Sequence, residues 1–232
     1  MSLNTPDRRW KNPLTPFVFN RDAERPAAED VATLASADVT RISDLAGRMY
    51  TCHPSIHSLI APALPLCGPA FTVKCPPGDN LGVMAAVRHI GRGDVLVVDG
   101  LGFTQWCMGG FELLKYARDE RGMAGLLVHG AWRDVLEAQA EGLPVYGLAV
   151  SPHSGPKLGP AEINVPVGCA GVVISPGDVV CASGEGVAVV PRGSVAAVAQ
   201  ALRNSAGGHG IEHFLQEMDQ HVAAWFPEGL PR

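Results

Sequence analysis

The chain has 232 residues, a formal net charge of −5, and 47% hydrophobic against 18% charged residues. That length suits one large domain with appended arms. The negative balance and the absence of any Lys/Arg-rich run argue against nucleic acid as a partner, and no apolar run approaches the roughly 18 residues of a membrane-spanning helix.

Cys52, Cys67, Cys75, Cys107, Cys169 and Cys181 lie far apart, with no C-x-x-C and no His/Cys ligand spacing. They read as reduced, mostly buried thiols of a cytosolic protein. No signal peptide precedes Pro6-Asp7-Arg8-Arg9-Trp10, so a soluble cytoplasmic protein is expected. Low charge and 27 glycines also suit a chain that buries subunit faces in a homo-oligomer.

Residues 1–26, dotted with Pro6, Pro13, Pro16 and Pro26, read as an extended arm whose Trp10, Phe17 and Phe19 lie across a surface. Helices are expected at Ala27–Ala35 and Val39–Met49, then a strand at Gly68–Cys75. Pro76–Asn80 is a turn in which Asp79 or Asn80 caps a helix over Leu81–Ile90. Gly91–Asp94 turns into a strand at Val95–Asp99. A helix follows at Phe111–Arg121, a strand at Gly125–Val128 and a helix at Arg133–Glu141. Gly122 and Gly142 sit where left-handed C-caps are wanted. Val145–Val150 is a strand, and Ser151–Asn164 a loop rich in Pro and Gly. Short strands follow at Gly171–Ile174, Asp178–Ala182 and Val187–Val190, the last two a hairpin through Gly184-Glu185-Gly186. Helices at Ser194–Asn204 and Ile211–Trp225 close the chain. The pattern predicts a layered α/β domain over 27–205 with a late hairpin run, rather than a plain Rossmann sheet, and a helical tail at 206–232.

Residues 109–134 are the most informative. If the strands before the two bends are parallel neighbours, both helix N-termini open on one sheet edge, where ligands of open α/β sheets bind. The amides of Phe111, Glu112, Leu113 and Leu114 then attract an anion. Asp134 offers a hard oxygen to a divalent cation, and Arg133 a fork-shaped cation for a carboxylate or enolate. Glu112, 21 residues before Arg133, is placed to orient a water or move a proton. The plain alternative is that both carboxylates complement helix dipoles and Arg133 is solvated. Two matching bends ask for more than capping.

Other signals rank lower. His209-Gly210-Ile211-Glu212-His213 fits a zinc-protease pattern that needs a helix, which Gly208 and Gly210 oppose. His53 and His57 flank Pro54, and Asp79 and Asp99 read as cap and turn residues. Lys74, Lys115 and Lys157 are possible Schiff-base lysines, but none lies at the two bends, which favours a metal route.

The series Gly78-Asp79-Asn80, Gly93-Asp94-Val95, Gly110 to Leu114, Gly130-Ala131-Trp132-Arg133-Asp134, Asn164-Val165-Pro166-Val167 and Pro176-Gly177-Asp178 resembles one family over roughly residues 35–192. It is that of the 4-hydroxy-4-methyl-2-oxoglutarate / 4-carboxy-4-hydroxy-2-oxoadipate aldolases and the related regulators of ribonuclease activity A. The resemblance implies a β/β/α swivelling-type fold and trimers or hexamers with sites near subunit interfaces. It implies Mg²⁺ or Mn²⁺ at Asp134, substrate at Arg133, and a pyruvate carboxylate on the loop Phe111–Leu114. The implied activity is class II pyruvate aldolase cleavage of a 4-hydroxy-2-oxo acid, with oxaloacetate decarboxylation as a side reaction. The chain departs from the family with Glu112 where the aldolases prefer Asp, His129 where members usually carry Asp, and Ser183-Gly184 in place of acidic residues. A ribonuclease-binding regulator and a non-catalytic oxo-acid binder are the competing readings.

Overall fold

The structure is a computed structural model that describes residues 17–21, 23–204 and 211–226, leaving aside the side chains at 212 and 213. Its centre is a run of parallel strands: β3 (Leu66–Lys74), β4 (Val95–Cys107), β5 (Gly125–Trp132) and β6 (Val145–Val150). Here β1 (Phe17–Phe19) and β2 (His57–Ser58) are the outermost strands, and β7 (Ala161–Ile163) lies between β1 and β3. The parallel strands read as unbroken apolar runs because both faces are covered. In β4, Leu96 and Val98 pack on the side of α3 (Leu81–Ala86), α4 (Phe111–Arg121) and α5 (Val135–Ala140), whereas Val95 and Val97 pack on the opposite side.

That opposite side is covered by β8 (Val167–Cys169) paired with β9 (Val172–Ile174), and by the hairpin β10 (Val179–Ser183) and β11 (Gly186–Val190). The hairpin alternates in turn: Val180, Ala182, Val187 and Val189 face the parallel sheet. Val179, Cys181, Ala188 and Val190 face α1 (Ala28–Ala35), α2 (Val39–Leu45) and α6 (Val195–Asn204). Strand β3 serves both layers, pairing antiparallel with β10 over Leu66–Pro69 and parallel with β4 over Ala70–Lys74. Gly68 sits at this handover, where a Cβ would fall 2.1 Å from the Gly93 carbonyl oxygen. The layered α/β reading and the late hairpin hold.

The arm adds a strand, since β1 pairs parallel with β7 and Phe19 packs on the His89 ring at 4.7 Å; Trp10 lies outside the described residues. Several boundaries shift. Helix α2 stops at Leu45 rather than Met49, as Gly47 and Arg48 take positive φ. Helix α3 ends at Ala86, β7 emerges from the stretch read as loop, and β8 lies in 165–170, where no element was expected. Strand β4 does not end at Asp99: it leaves its partner around Leu101 and Gly102, both at positive φ, and rejoins β5 at Phe103 and Cys107. α7 (Ile211–Trp225) matches the expected last helix; no helix among the described residues is long and apolar enough to cross a membrane.

Candidate active site

β4 and β5 are parallel neighbours, so the bends that follow them, 108–110 and 133–134, open on the same edge. Backbone hydrogen bonds clamp them together: Met108 N–H donates to Ala131 O at 2.8 Å and Arg133 N–H to Gly109 O at 3.2 Å. The fully buried Trp132 indole seats against Gly109, where a Cβ would lie 2.3 Å from the ring. Gly110 is as tightly required, because its Cβ would lie 2.2 Å from Asp134 Oδ2 and 3.0 Å from Arg133 Nε. Its φ of −141° is one any residue adopts, so the demand is for space alone.

Asp134 is not in the first turn of its helix, as the sequence suggested. It is the N-cap residue of α5 in the left-handed region, at φ 56°, and makes no capping bond there. Asp and Asn tolerate that conformation better than most side chains. Its Oδ2 instead accepts the Phe111 N–H at 3.3 Å, at the N-terminus of the other helix, α4. The dipole it complements is therefore that of its neighbour. Arg133 lies beside it as an ion pair, Nε to Oδ2 at 3.4 Å, a contact that leaves the buried Nε without a hydrogen bond.

The two bends floor a pocket of about 150 Å³ lined by Asn80, Met84, Cys107, Gly109, Gly110, Glu112, Leu113, Arg133, Asp134, Ser154 and Lys157. It unites Glu112, Leu113, Arg133 and Asp134 from the expected set. The Leu114 side chain is wholly buried and Phe111 packs on the same core, so only their backbones remain for a ligand. Among the first-turn amides, that of Leu113 already donates to Gly110 O at 3.2 Å. Asn80 Oδ1, like Arg133 Nε, is buried with no hydrogen-bond partner. Two orphaned polar atoms lining one small pocket are the mark of a site that receives a polar ligand.

Asn80, Cys107, Ser154 and Lys157 were not expected here. Asn80 arrives because β3 is the parallel neighbour of β4, which puts a third bend on the same edge. Lys157 arrives with the 151–164 loop, tied down by Cys107 N–H to His153 O at 2.8 Å and by Asp79. Asp79 Oδ1 accepts from Leu81 N–H, and Oδ2 from Leu158 and Gly159 N–H at 2.6 and 3.1 Å. The premise that no lysine approaches the bends is thus corrected for Lys157, while Lys74 and Lys115 face Glu162 and Asp119 on the surface. Burial pushes the Cys107 thiol up despite the nearby Arg133 guanidinium, so it lines the pocket as a neutral group.

The remaining candidates serve local structure. His53 and His57 each bond to Ser55. Asp99 accepts the N–H groups of Leu101 and Gly168, and His129 stands 3.7 Å from it. Burial raises the Asp99 carboxyl, but the His129 ring and these two amides outweigh it and hold it below the ordinary range. His209 and Gly210 lie outside the described residues, as do the side chains at 212 and 213. Among the described residues no group of three or more His, Cys, Asp and Glu is placed to hold a metal ion by itself.

A family model described as RraA-like, aldolase/RraA, matches residues 31–189. The chain is 38% identical over 126 residues to a putative 4-hydroxy-4-methyl-2-oxoglutarate aldolase of Halalkalibacterium halodurans, covering 54% of this chain and 60% of that protein. A protein of the same name from Paraburkholderia phytofirmans is 35% identical over 143 residues, covering 62% of this chain and 85% of the relative. Among solved structures, the RNA-processing inhibitor RraA of Thermus thermophilus superposes with a TM-score of 0.60 at 32% identity, over 67% of this chain and 93% of that one.

Proposed function

Because the chain belongs to the RraA-like family, we propose that it is a lyase, a divalent-metal-dependent class II pyruvate aldolase. It cleaves a 4-hydroxy-2-oxo acid to pyruvate and a second oxo compound, and decarboxylates oxaloacetate as a side reaction. One observation carries this reading: Asp134, Arg133 and the N-terminus of α4 meet across Gly110 in a pocket with two orphaned polar atoms. The aldolase names of the two bacterial relatives support it. We read the two-layered sheet as the β/β/α swivelling type, and the protein as a cytoplasmic trimer or hexamer.

Asp134 suits Mg²⁺ or Mn²⁺: it offers one hard oxygen in a pocket with room for water, and such cations keep several waters and take substrate oxygens. When bound, the cation supplies Lewis acidity and orients the 2-oxo acid. Everything else falls to the chain. The positive N-terminal end of α4, Phe111–Leu114, and the Arg133 guanidinium hold the substrate carboxylate, with the Phe111 amide turned to Asp134 and that of Leu113 to Gly110 O. As the C3–C4 bond breaks, its electron pair moves toward C2, and Arg133 stabilises the charge that develops on the enolate oxygen. Glu112 positions the water that accepts the C4 hydroxyl proton, leaving a carbonyl on the departing fragment, and a proton then returns to C3 to give pyruvate.

The test is pyruvate release from 4-hydroxy-4-methyl-2-oxoglutarate and from oxaloacetate, with Mg²⁺ and with chelator. Turnover that chelator removes and Mg²⁺ restores is expected; full activity in chelator overturns the metal route, and no pyruvate from either acid overturns the aldolase. The solved RNA-processing inhibitor on this fold favours a second reading, a ribonuclease-binding regulator. Capture of a ribonuclease by a chain that turns over neither acid would select it.

A further inference from the structure

On the face of the hairpin turned away from the pocket, Cys67 of β3 and Cys181 of β10 stand directly opposite, with sulfurs 3.5 Å apart. Antiparallel pairs alternate between hydrogen-bonded and non-hydrogen-bonded sites. Ala70 N–H donates to Asp178 O at 2.7 Å, which makes that pair a bonded one. Counting back along the register, Pro69 and Val179 form a non-bonded pair, as a residue without an N–H must. Gly68 and Val180 are bonded, and Cys67 and Cys181 are non-bonded. At such sites the Cα atoms approach to about 4.5 Å, inside the span a disulfide bridges without backbone movement. The two strands already hold the two sulfurs in contact.

The pair borders an open cleft of about 840 Å³ between the α1–α2 junction and the edge of β3 and β10. Cys67 is half-buried there, while Cys181 lies behind it at 3% exposure. The cleft lining includes Asp38 and Glu185 and no lysine or arginine. The contact with Cys181 draws the Cys67 thiol below its ordinary range against the opposing effect of burial, and the same contact together with burial pushes Cys181 well above it. Because Cys67 is the sulfur open to the cleft and Cys181 lies behind it, the first is set up to attack and the second to follow.

We propose that Cys67 and Cys181 are a redox modification site, closed to an intrachain disulfide by a non-anionic low-molecular-weight disulfide that enters through this cleft. The Cys67 thiolate attacks one sulfur of the reagent, forming a mixed disulfide and expelling one thiolate. Cys181 loses its proton, attacks the Cys67 sulfur and expels the second. Two cysteine thiols and one small disulfide become one protein disulfide and two small thiols. The bridge links positions 114 residues apart, so it constrains the unfolded chain strongly and raises the unfolding midpoint by about 5–10 °C.

The full chain is treated at pH 8 with hydroxyethyl disulfide, digested and mapped by mass spectrometry. A single Cys67–Cys181 cross-link, reversed by dithiothreitol, is expected. Cys181→Ser is expected to accumulate the reagent on Cys67. Cationic cystamine is expected to close the bridge several-fold faster than anionic glutathione disulfide. Adducts spread over other cysteines with no Cys67–Cys181 link, or a mixed disulfide on Cys67 that persists in the unsubstituted chain, overturns the proposal. So does faster closure by the anionic reagent. Mapping of the unsubstituted chain decides even if the serine variant fails to fold.

Discussion

Two aspartates lie in the bends after parallel strands on the same sheet edge and precede short helices, yet their surroundings are opposites. Asp79, after β3, is 3% exposed and spends both oxygens on three backbone N–H groups. Asp134, after β5, is 39% exposed in its side chain, sits at positive φ, and has one long bond to an amide of the neighbouring helix. Asp79 is a fastener whose acceptor capacity is consumed by the fold. Asp134 keeps capacity in reserve beside a guanidinium and a small pocket. Free acceptor capacity, rather than position at a strand end, separates the functional bend from the structural one.

The comparison predicts its largest effect at the second bend. Asp134→Asn keeps a side chain that tolerates the left-handed region while removing the charge, and Arg133→Ala removes the cation. Each is expected to lower kcat/KM for pyruvate release by about 10²–10³-fold, the scale of losing one donor that stabilises developing negative charge, with the unfolding midpoint of Asp134→Asn unchanged. Asp134→Ala is expected to lose stability as well, by about 1 kcal/mol, because alanine is strained at this φ. An Asp134→Asn variant as active as the unsubstituted chain would remove the distinction between the two aspartates.

Gly110→Ala comes next. Its new methyl has no backbone strain to meet and only Asp134 and Arg133 to displace. Misplacing such groups by about an ångström is expected to cost on the order of 10²-fold in rate while thermal unfolding stays close to that of the parent. Loss of the fold together with activity would show that the glycine serves packing instead.

Part of this geometry was legible in the sequence, and physical reasons set the limit. The apolar runs at Val95–Val98 and Gly125–Val128, the bend glycines, and Gly122 and Gly142 in left-handed C-caps are local signals, and the structure keeps each of them. The convergence of Glu112, Arg133 and Asp134 followed from assuming the strands adjacent, and they are. What escaped depends on pairing between distant segments. Nothing near Lys157 announces that three hydrogen bonds from residues 79 and 107 lay its loop over the pocket. Asn80 reads as a cap until β3 is known to lie beside β4. The excursion around Leu101 and Gly102 interrupts a strand for reasons its apolar pattern does not carry.

Asp79→Asn tests the fastener. One oxygen remains an acceptor, but the new amide nitrogen confronts either the Leu158 and Gly159 N–H groups or that of Leu81, donor against donor. Loss of about 1–3 kcal/mol of stability is expected from urea unfolding. A smaller fall in activity should follow, as the loop carrying Lys157 loosens. Activity lost with stability intact would make Asp79 a functional residue and erase the contrast.

The smallest effect belongs to Asp99, between the two extremes. It is buried like Asp79, yet one of its neighbours is the His129 ring at 3.7 Å as well as the Leu101 and Gly168 amides. These hold its carboxyl below the ordinary range in the folded chain, against the upward push of burial. A depressed folded value means the unfolded state takes up the proton first as pH falls. The stability Asp99 contributes is therefore full above the ordinary carboxylate range, about pH 4, and drains away below it. Asp99→Asn should accordingly flatten the acid limb: its urea midpoint lies below that of the parent at pH 7, and the gap narrows between pH 4 and pH 3. Parallel acid limbs would mean that Asp99 titrates alike folded and unfolded, and that its three neighbours hold the loop without favouring its charge.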